Sequence, residues 1–263
     1  MQVYTFFVKL VLLLLAIFPA VASAKPRVEA MTIADKTYGK ERRVWVYTPP
    51  GYSAKQTYGL VVFLDGESYL DELPGTATLD TLITAGKIPP VVAVLVDTSD
   101  NRLGDLANRM KFADFAAKDL MPWVQSKWHA GADPTHVVVA GYSAGGLGAA
   151  YLGFRHPELF GNVLSQSGAF WRGNEGASEP AEWLTAQFKA SRRLPVRFYL
   201  DIGGGETHKA ANGVVFIDAN RRLRDVLQTK GYTVQYSEVP NAMHEPGHWA
   251  AALPGGLLYL LHP

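Results

Sequence analysis

Ser143 stands in Gly141-Tyr142-Ser143-Ala144-Gly145, a G-x-S-x-G arrangement whose chemistry would be nucleophilic attack on an ester carbonyl. The pattern has meaning only where a strand precedes it and a helix follows. Here the β-branched run Val137-Val138-Val139 reads as a buried strand. Leu147, Ala149, Ala150, Tyr151 and Leu152 then predict a helix that Pro157 ends. The flanking glycines fit a turn so tight that a Cβ on either side would strike neighbouring backbone.

A serine at its ordinary pKa needs a base within hydrogen-bond reach. On such a strand-to-helix turn the partners follow in the order acid, then histidine. Five of the histidines lie beyond Ser143: His156, His208, His244, His248 and His262. His156 falls at the far end of the helix that starts at the serine, and His262 is the penultimate residue. His244 and His248 lie in the loop after the last predicted strand, where the base must be, and His244 is closer to the strand end. Their i, i+4 spacing could suggest a metal pair, but Pro246 and Gly247 are expected to spoil a helix between them, and H-E-x-x-H is not met. For the acid, Asp201, Glu206 and Asp218 are candidates, and Glu206, just past Gly203-Gly204-Gly205, fits best. A tetrahedral intermediate needs two backbone N–H donors. One is assigned to Ala144, and the other to Glu67 after the strand Leu60–Leu64, with Gly66 as the near alternative.

The elements that must hold these groups follow from hydrophobic periodicity. Arg42 to Tyr47 alternates and predicts an antiparallel strand. Continuous apolar runs at 60–64, 91–96, 137–140 and 198–200, with a further strand at 233–239, predict buried strands. Helices are expected over 71–85, 112–123, 146–155, 179–190 and 215–230. Buried strands separated by helices argue an α/β fold, a mostly parallel central sheet with helices on both faces. The carboxyl ends of such strands form the ligand crevice. That edge would collect Asp65-Gly66, Asp97, Ser143 and the 201–206 loop.

Val11 to Val21 is nearly unbroken apolar sequence, and Ala22-Ser23-Ala24 is a small-x-small cleavage signature followed by Lys25-Pro26-Arg27. The expectation is a signal peptide over 1–24, export to the periplasm or beyond, and one α/β domain over 25–263. Membrane contact is expected only if that segment stays uncut. Residues 25–263 carry 24 basic and 24 acidic side chains with no basic stripe, so nothing marks a nucleic-acid partner. Cysteine is absent, which excludes disulfides, a thiol nucleophile and thiolate metal sites.

Several stretches carry a resemblance. They include Phe63-Leu64-Asp65-Gly66-Glu67, Asn101-Arg102-Leu103-Gly104-Asp105-Leu106, Val139 to Gly146, Arg155 to Gly161, and Ser165-Gln166-Ser167-Gly168-Ala169-Phe170-Trp171. The chain resembles the esterase D family of α/β-hydrolases, and within it the enterochelin (enterobactin) esterases and their periplasmic trilactone-hydrolase relatives. The resemblance places the family's Gly-x-x-Glu acid on Gly203 to Glu206, and its histidine, five residues before a tryptophan, on His244 and Trp249. It departs where the family's Gly-Gly-His-Asp is Ala242-Met243-His244-Glu245. It implies an α/β-hydrolase fold and an exported serine esterase acting through an acyl-enzyme, without a cofactor, on a small-molecule ester such as a catecholate siderophore trilactone. Arg102, with Asn108 close after it, would help hold an acidic substrate, and Trp171 would line the pocket. A broader feruloyl- or acetyl-type carboxylesterase and an acyltransferase are the alternatives within enzymes. A binding protein that has lost the chemistry is the alternative outside them.

Overall fold

The computed structural model describes residues 27–98, 102–107, 109–173 and 180–262; the apolar start and Asn108 lie outside them. The strands are β1 (Arg27–Asp35), β2 (Lys40–Thr48), β3 (Gly59–Leu64), β4 (Val91–Val96), β5 (Val137–Tyr142), β6 (Asn162–Gln166), β7 (Arg197–Gly203) and β8 (Thr233–Val239). They form one sheet in the order β1-β2-β4-β3-β5-β6-β7-β8. β1 pairs antiparallel with β2, and β2 antiparallel with β4; every later pair is parallel. The helices are α1 (Gly66–Asp71), α2 (Gly75–Thr84), α3 (Arg102–Ala107), α4 (Arg109–Phe115), α5 (Met121–Trp128), α6 (Ala144–Arg155), α7 (Trp183–Ala190), α8 (Phe216–Thr229) and α9 (Pro246–Leu261).

The central strands are apolar throughout because both of their faces are covered. Along β4, Val92, Val94 and Val96 join the core cluster that contains Leu147 of α6 and Leu223 of α8. Their neighbours Val91, Ala93 and Leu95 join the opposite cluster, with Leu79 of α2 and Leu253 and Leu257 of α9. This is an α/β-hydrolase fold, as expected. Parallel register aligns the strand ends that matter: Tyr142 on β5 pairs with Gln166 on β6, and Gln166 with Asp201 on β7.

Besides β6, which is absent from the runs named above, four elements differ from the sequence reading. β1 was not anticipated; it covers the antiparallel edge and packs mainly through Ile33. The helix expected over 71–85 is α2, which starts only after Pro74, whose missing N–H suits a helix start; α1 is a separate short helix before it. The helix expected over 112–123 lies inside a longer run from Arg109 to Trp128, broken by a π-helical turn at Ala116–Leu120 just before Pro122. The fourth change bears on the site. Pro246 and Gly247 do not prevent a helix but open one: α9 starts at Pro246 and contains His248 in its first turn. Proline at a first helical position loses no intrahelical bond and brings its φ already set.

Candidate active site

Ser143 joins β5 to α6 with φ 53° and ψ −117°, a conformation that an L-residue adopts only under constraint. The constraint is visible. Its N–H donates to the Gln166 carbonyl at 2.8 Å, and its own carbonyl accepts from the Ala169 N–H at 2.9 Å. Asp65 and Ser167, the residues that follow β3 and β6, also have positive φ (61° and 47°). Strain thus gathers at three adjacent strand ends along one edge, which is where functional sites concentrate it. A Cβ on Gly141 would lie 2.4 Å from the carbonyl carbon and oxygen of Gly145, so the turn closes only over glycine. Gly141→Ala is expected to cost about 3 kcal/mol, because backbone must move to admit the methyl group. A thermal midpoint equal to that of the unmodified chain would count against this account of the turn.

The Ser143 Oγ lies 3.0 Å from His244 Nε2, and His244 Nδ1 lies 2.6 Å from Glu206 Oε2. With Nδ1–H donating to the carboxylate, Nε2 is left to accept the serine proton. Glu206 is fully buried. Its other oxygen accepts from the Ser167 hydroxyl at 2.6 Å and from the Gly203 N–H at 3.0 Å. Burial pushes the Glu206 carboxyl up, but the hydrogen bonds from His244, Ser167 and Gly203, with the charge of His244, hold it below the ordinary glutamate range. Trp249 completes this group. Its indole N–H donates to Ser167 Oγ at 2.9 Å, and its ring stands edge-on to His244 with centroids 5.0 Å apart.

The other candidates fall into place around this line. Asp201 does not serve His244; it is buried 3.2 Å from His248 Nε2, an ion-pair contact beneath the site. Burial raises the Asp201 carboxyl, and Asp201 in turn holds the His248 imidazole above its usual value despite that group's own burial. Asp218 pairs with Arg221 on α8 at 3.2 Å. Ala144 is the first residue of α6, and Glu67 the second of α1, so neither backbone N–H has an intrahelical carbonyl to bond. The Glu67 carboxylate points to Arg43 instead, at 3.4 Å. Arg102 grips Asp65 through Nε and Nη2 (2.8 and 2.6 Å) and lies over the Tyr142 ring, 5.0 Å from its centroid. Trp171 packs on Phe216 at 5.4 Å, and Phe216 meets His244 edge-on at 5.5 Å. The sequence reading assigned no role to Ser167, Phe216 or His208, whose ring lies 4.0 Å from Phe216. Ser167 stood in a quoted motif, but no residue type announces a left-handed turn ending in a carboxylate partner.

The sequence model of the Esterase family, described as "Putative esterase", matches residues 36–260. The chain belongs to this esterase family. Among curated members it is 32% identical to the iron(III) enterobactin esterase of Escherichia coli K12, over 85% of this chain and 54% of that protein. The chain thus spans about half the length of the curated relatives it matches. The crystal structure of the Shigella flexneri enterobactin esterase in the presence of enterobactin superposes with a TM-score of 0.76 at 28% identity, covering 89% of this chain and 59% of that one. The CE1 ferulic acid esterase of Anaeromyces mucronatus shares the fold, with a TM-score of 0.72 at 20% identity over 92% of this chain and 91% of that one. Within the esterase family, this chain therefore sits among proteins named for enterobactin.

Proposed function

We propose that this chain is a serine esterase that opens carboxylic esters through an acyl-enzyme. The observation that carries the reading is the unbroken Ser143–His244–Glu206 hydrogen-bonded line on a strained turn. Ser143 Oγ attacks the ester carbonyl carbon as His244 Nε2 takes its proton. The resulting oxyanion is held by the N–H groups of Ala144 and Glu67. Collapse expels the alcohol, which receives the proton from His244 and leaves the acyl group on Ser143. Water, deprotonated by His244, then attacks that carbonyl and releases the acid and the free serine. Glu206 remains a carboxylate throughout and steadies the imidazolium.

For the substrate, we propose a catecholate siderophore trilactone of the enterobactin type. The likeness to proteins named for enterobactin supports it, and the aromatic wall of Trp171 and Phe216 beside His244 suits an aryl acyl group. The enzyme would act after export, a placement that rests on the sequence of residues 1–24. The replacement of the resembled family's Gly-Gly-His-Asp by Ala242 to Glu245 favours a second reading, a carboxylesterase for another small ester. Hydrolysis of ferric and iron-free enterobactin, measured beside 4-nitrophenyl butyrate, separates the two. The first reading expects the trilactone to be opened with the higher kcat/KM. Turnover of the nitrophenyl ester alone would leave the second.

A further inference from the structure

We propose that Arg172 binds an anionic oxygen, carboxylate or phenolate, of the molecule held beside Ser143. The proposal deepens the esterase reading above by assigning a charge-selective subsite within it. Among the described residues, four arginine side chains have no hydrogen-bonding or ion-pair partner: Arg155, Arg172, Arg192 and Arg193. Three of them are exposed, whereas Arg172 is half-buried. Withdrawing a guanidinium from water without a counter-charge is costly, and the usual compensation is a partnered anion. Among the described residues no carboxylate supplies one.

The position of Arg172 is tied to the reaction centre at several points. Its N–H donates to the Ala169 carbonyl at 3.1 Å, and the Ala169 N–H donates to the carbonyl of Ser143 itself. Its guanidinium lies over the Trp171 indole, 5.0 Å from the centroid. Trp171 is fixed from behind, because its carbonyl accepts from the Asn212 side chain at 2.9 Å and its ring packs on Phe216 beside His244. Arg172 is also close enough to Arg102 for the two charges to repel. Burial, and then the Arg102 charge, hold its guanidinium below the ordinary arginine value. Arg102 has its fork committed to Asp65, so its charge is already answered. Among the described residues, Arg172 is the half-buried guanidinium beside Arg102 whose charge no carboxylate answers. A guanidinium lying over an indole, with no carboxylate partner among the described residues, fits the in-plane oxygens of a carboxylate or phenolate.

The test uses competitive inhibition of 4-nitrophenyl butyrate hydrolysis by benzoate and by neutral benzamide. The unmodified chain should bind benzoate about tenfold more tightly than benzamide, as a charge-assisted contact provides, and the preference should shrink with added salt. Arg172→Gln should bring the two inhibition constants within about threefold, while Arg172→Lys should keep part of the gap. No preference in the unmodified chain would overturn the proposal. So would a preference that survives Arg172→Gln, or one lost only in Arg102→Gln. If the unmodified chain leaves both the nitrophenyl ester and enterobactin intact, the esterase reading fails by itself. Direct calorimetric titration with benzoate and benzamide then still decides the role of Arg172.

Discussion

Ser143→Ala is expected to lower kcat for every ester by about 10⁴-fold or more, with the fold retained. The loss is large because the proposed mechanism makes the hydroxyl the attacking atom, and His244 then has nothing to activate. What remains would come from the proposed oxyanion donors, the N–H groups of Ala144 and Glu67, which still polarise a bound carbonyl. The backbone makes a companion expectation. Ser143 holds φ 53° against its preference, and alanine inherits that strain, whereas glycine does not. Ser143→Gly should therefore be as inactive as Ser143→Ala but more stable than it by about 1 kcal/mol, read as a higher midpoint in urea or heat. If Ser143→Ala keeps a tenth of the activity, roughly a thousandfold more than expected, another group is the nucleophile.

Glu206→Gln should cost about 10³- to 10⁴-fold in kcat, with a much smaller change in KM. The amide can turn an N–H toward Nδ1, which favours the tautomer whose proton sits on Nε2 and points at Ser143. The hydrogen bonds that hold the Glu206 carboxyl below its unfolded value of 4.5 also make the native state sensitive to acid. That stabilisation is full above pH 4.5 and is lost as pH falls through the lower folded value, so Glu206→Gln should flatten this part of an acid-denaturation curve. Asp201→Asn is the control, a second buried carboxylate beside a histidine but one that serves His248. It should leave kcat within about tenfold of the unmodified chain, since no reacting atom contacts it. Activity of Glu206→Gln within about threefold of normal would mean that serine and histidine work as a pair.

Much of this arrangement was legible in the residues because it depends on patterns that burial enforces. Val91 to Val96 had to be a central strand, since six consecutive apolar residues need both faces covered. Gly141 and Gly145 announced the turn; chain order left five histidines, and the place of the last strand narrowed the candidate base to two. Glu206, read as the candidate acid from its place just past Gly203-Gly204-Gly205, does meet His244. β1 was harder, because an edge strand buries little and most of its length carries no apolar signature. α9 was misread because proline and glycine were weighed as breakers without regard to position, although at a helix start they are compatible with one. The carboxylate's supporting contacts were beyond reach. Ser167 and Trp249 meet only through the tertiary fold, 82 residues apart.

Ser143 and His244 are separated by 101 residues, and the segment that closes the gap is the C-terminal part of the chain. The Trp249 carbonyl must accept from Gln166, and its indole must reach Ser167, before the imidazole is braced. A chain emerging from its N-terminus therefore displays Ser143 well before it has His244 to take its proton, on the mechanism proposed above. Until α9 docks, Ser143 is an ordinary hydroxyl. The onset of activity during refolding would thus time the last long-range closure of the molecule, and a chain still being synthesised or threaded would be chemically silent.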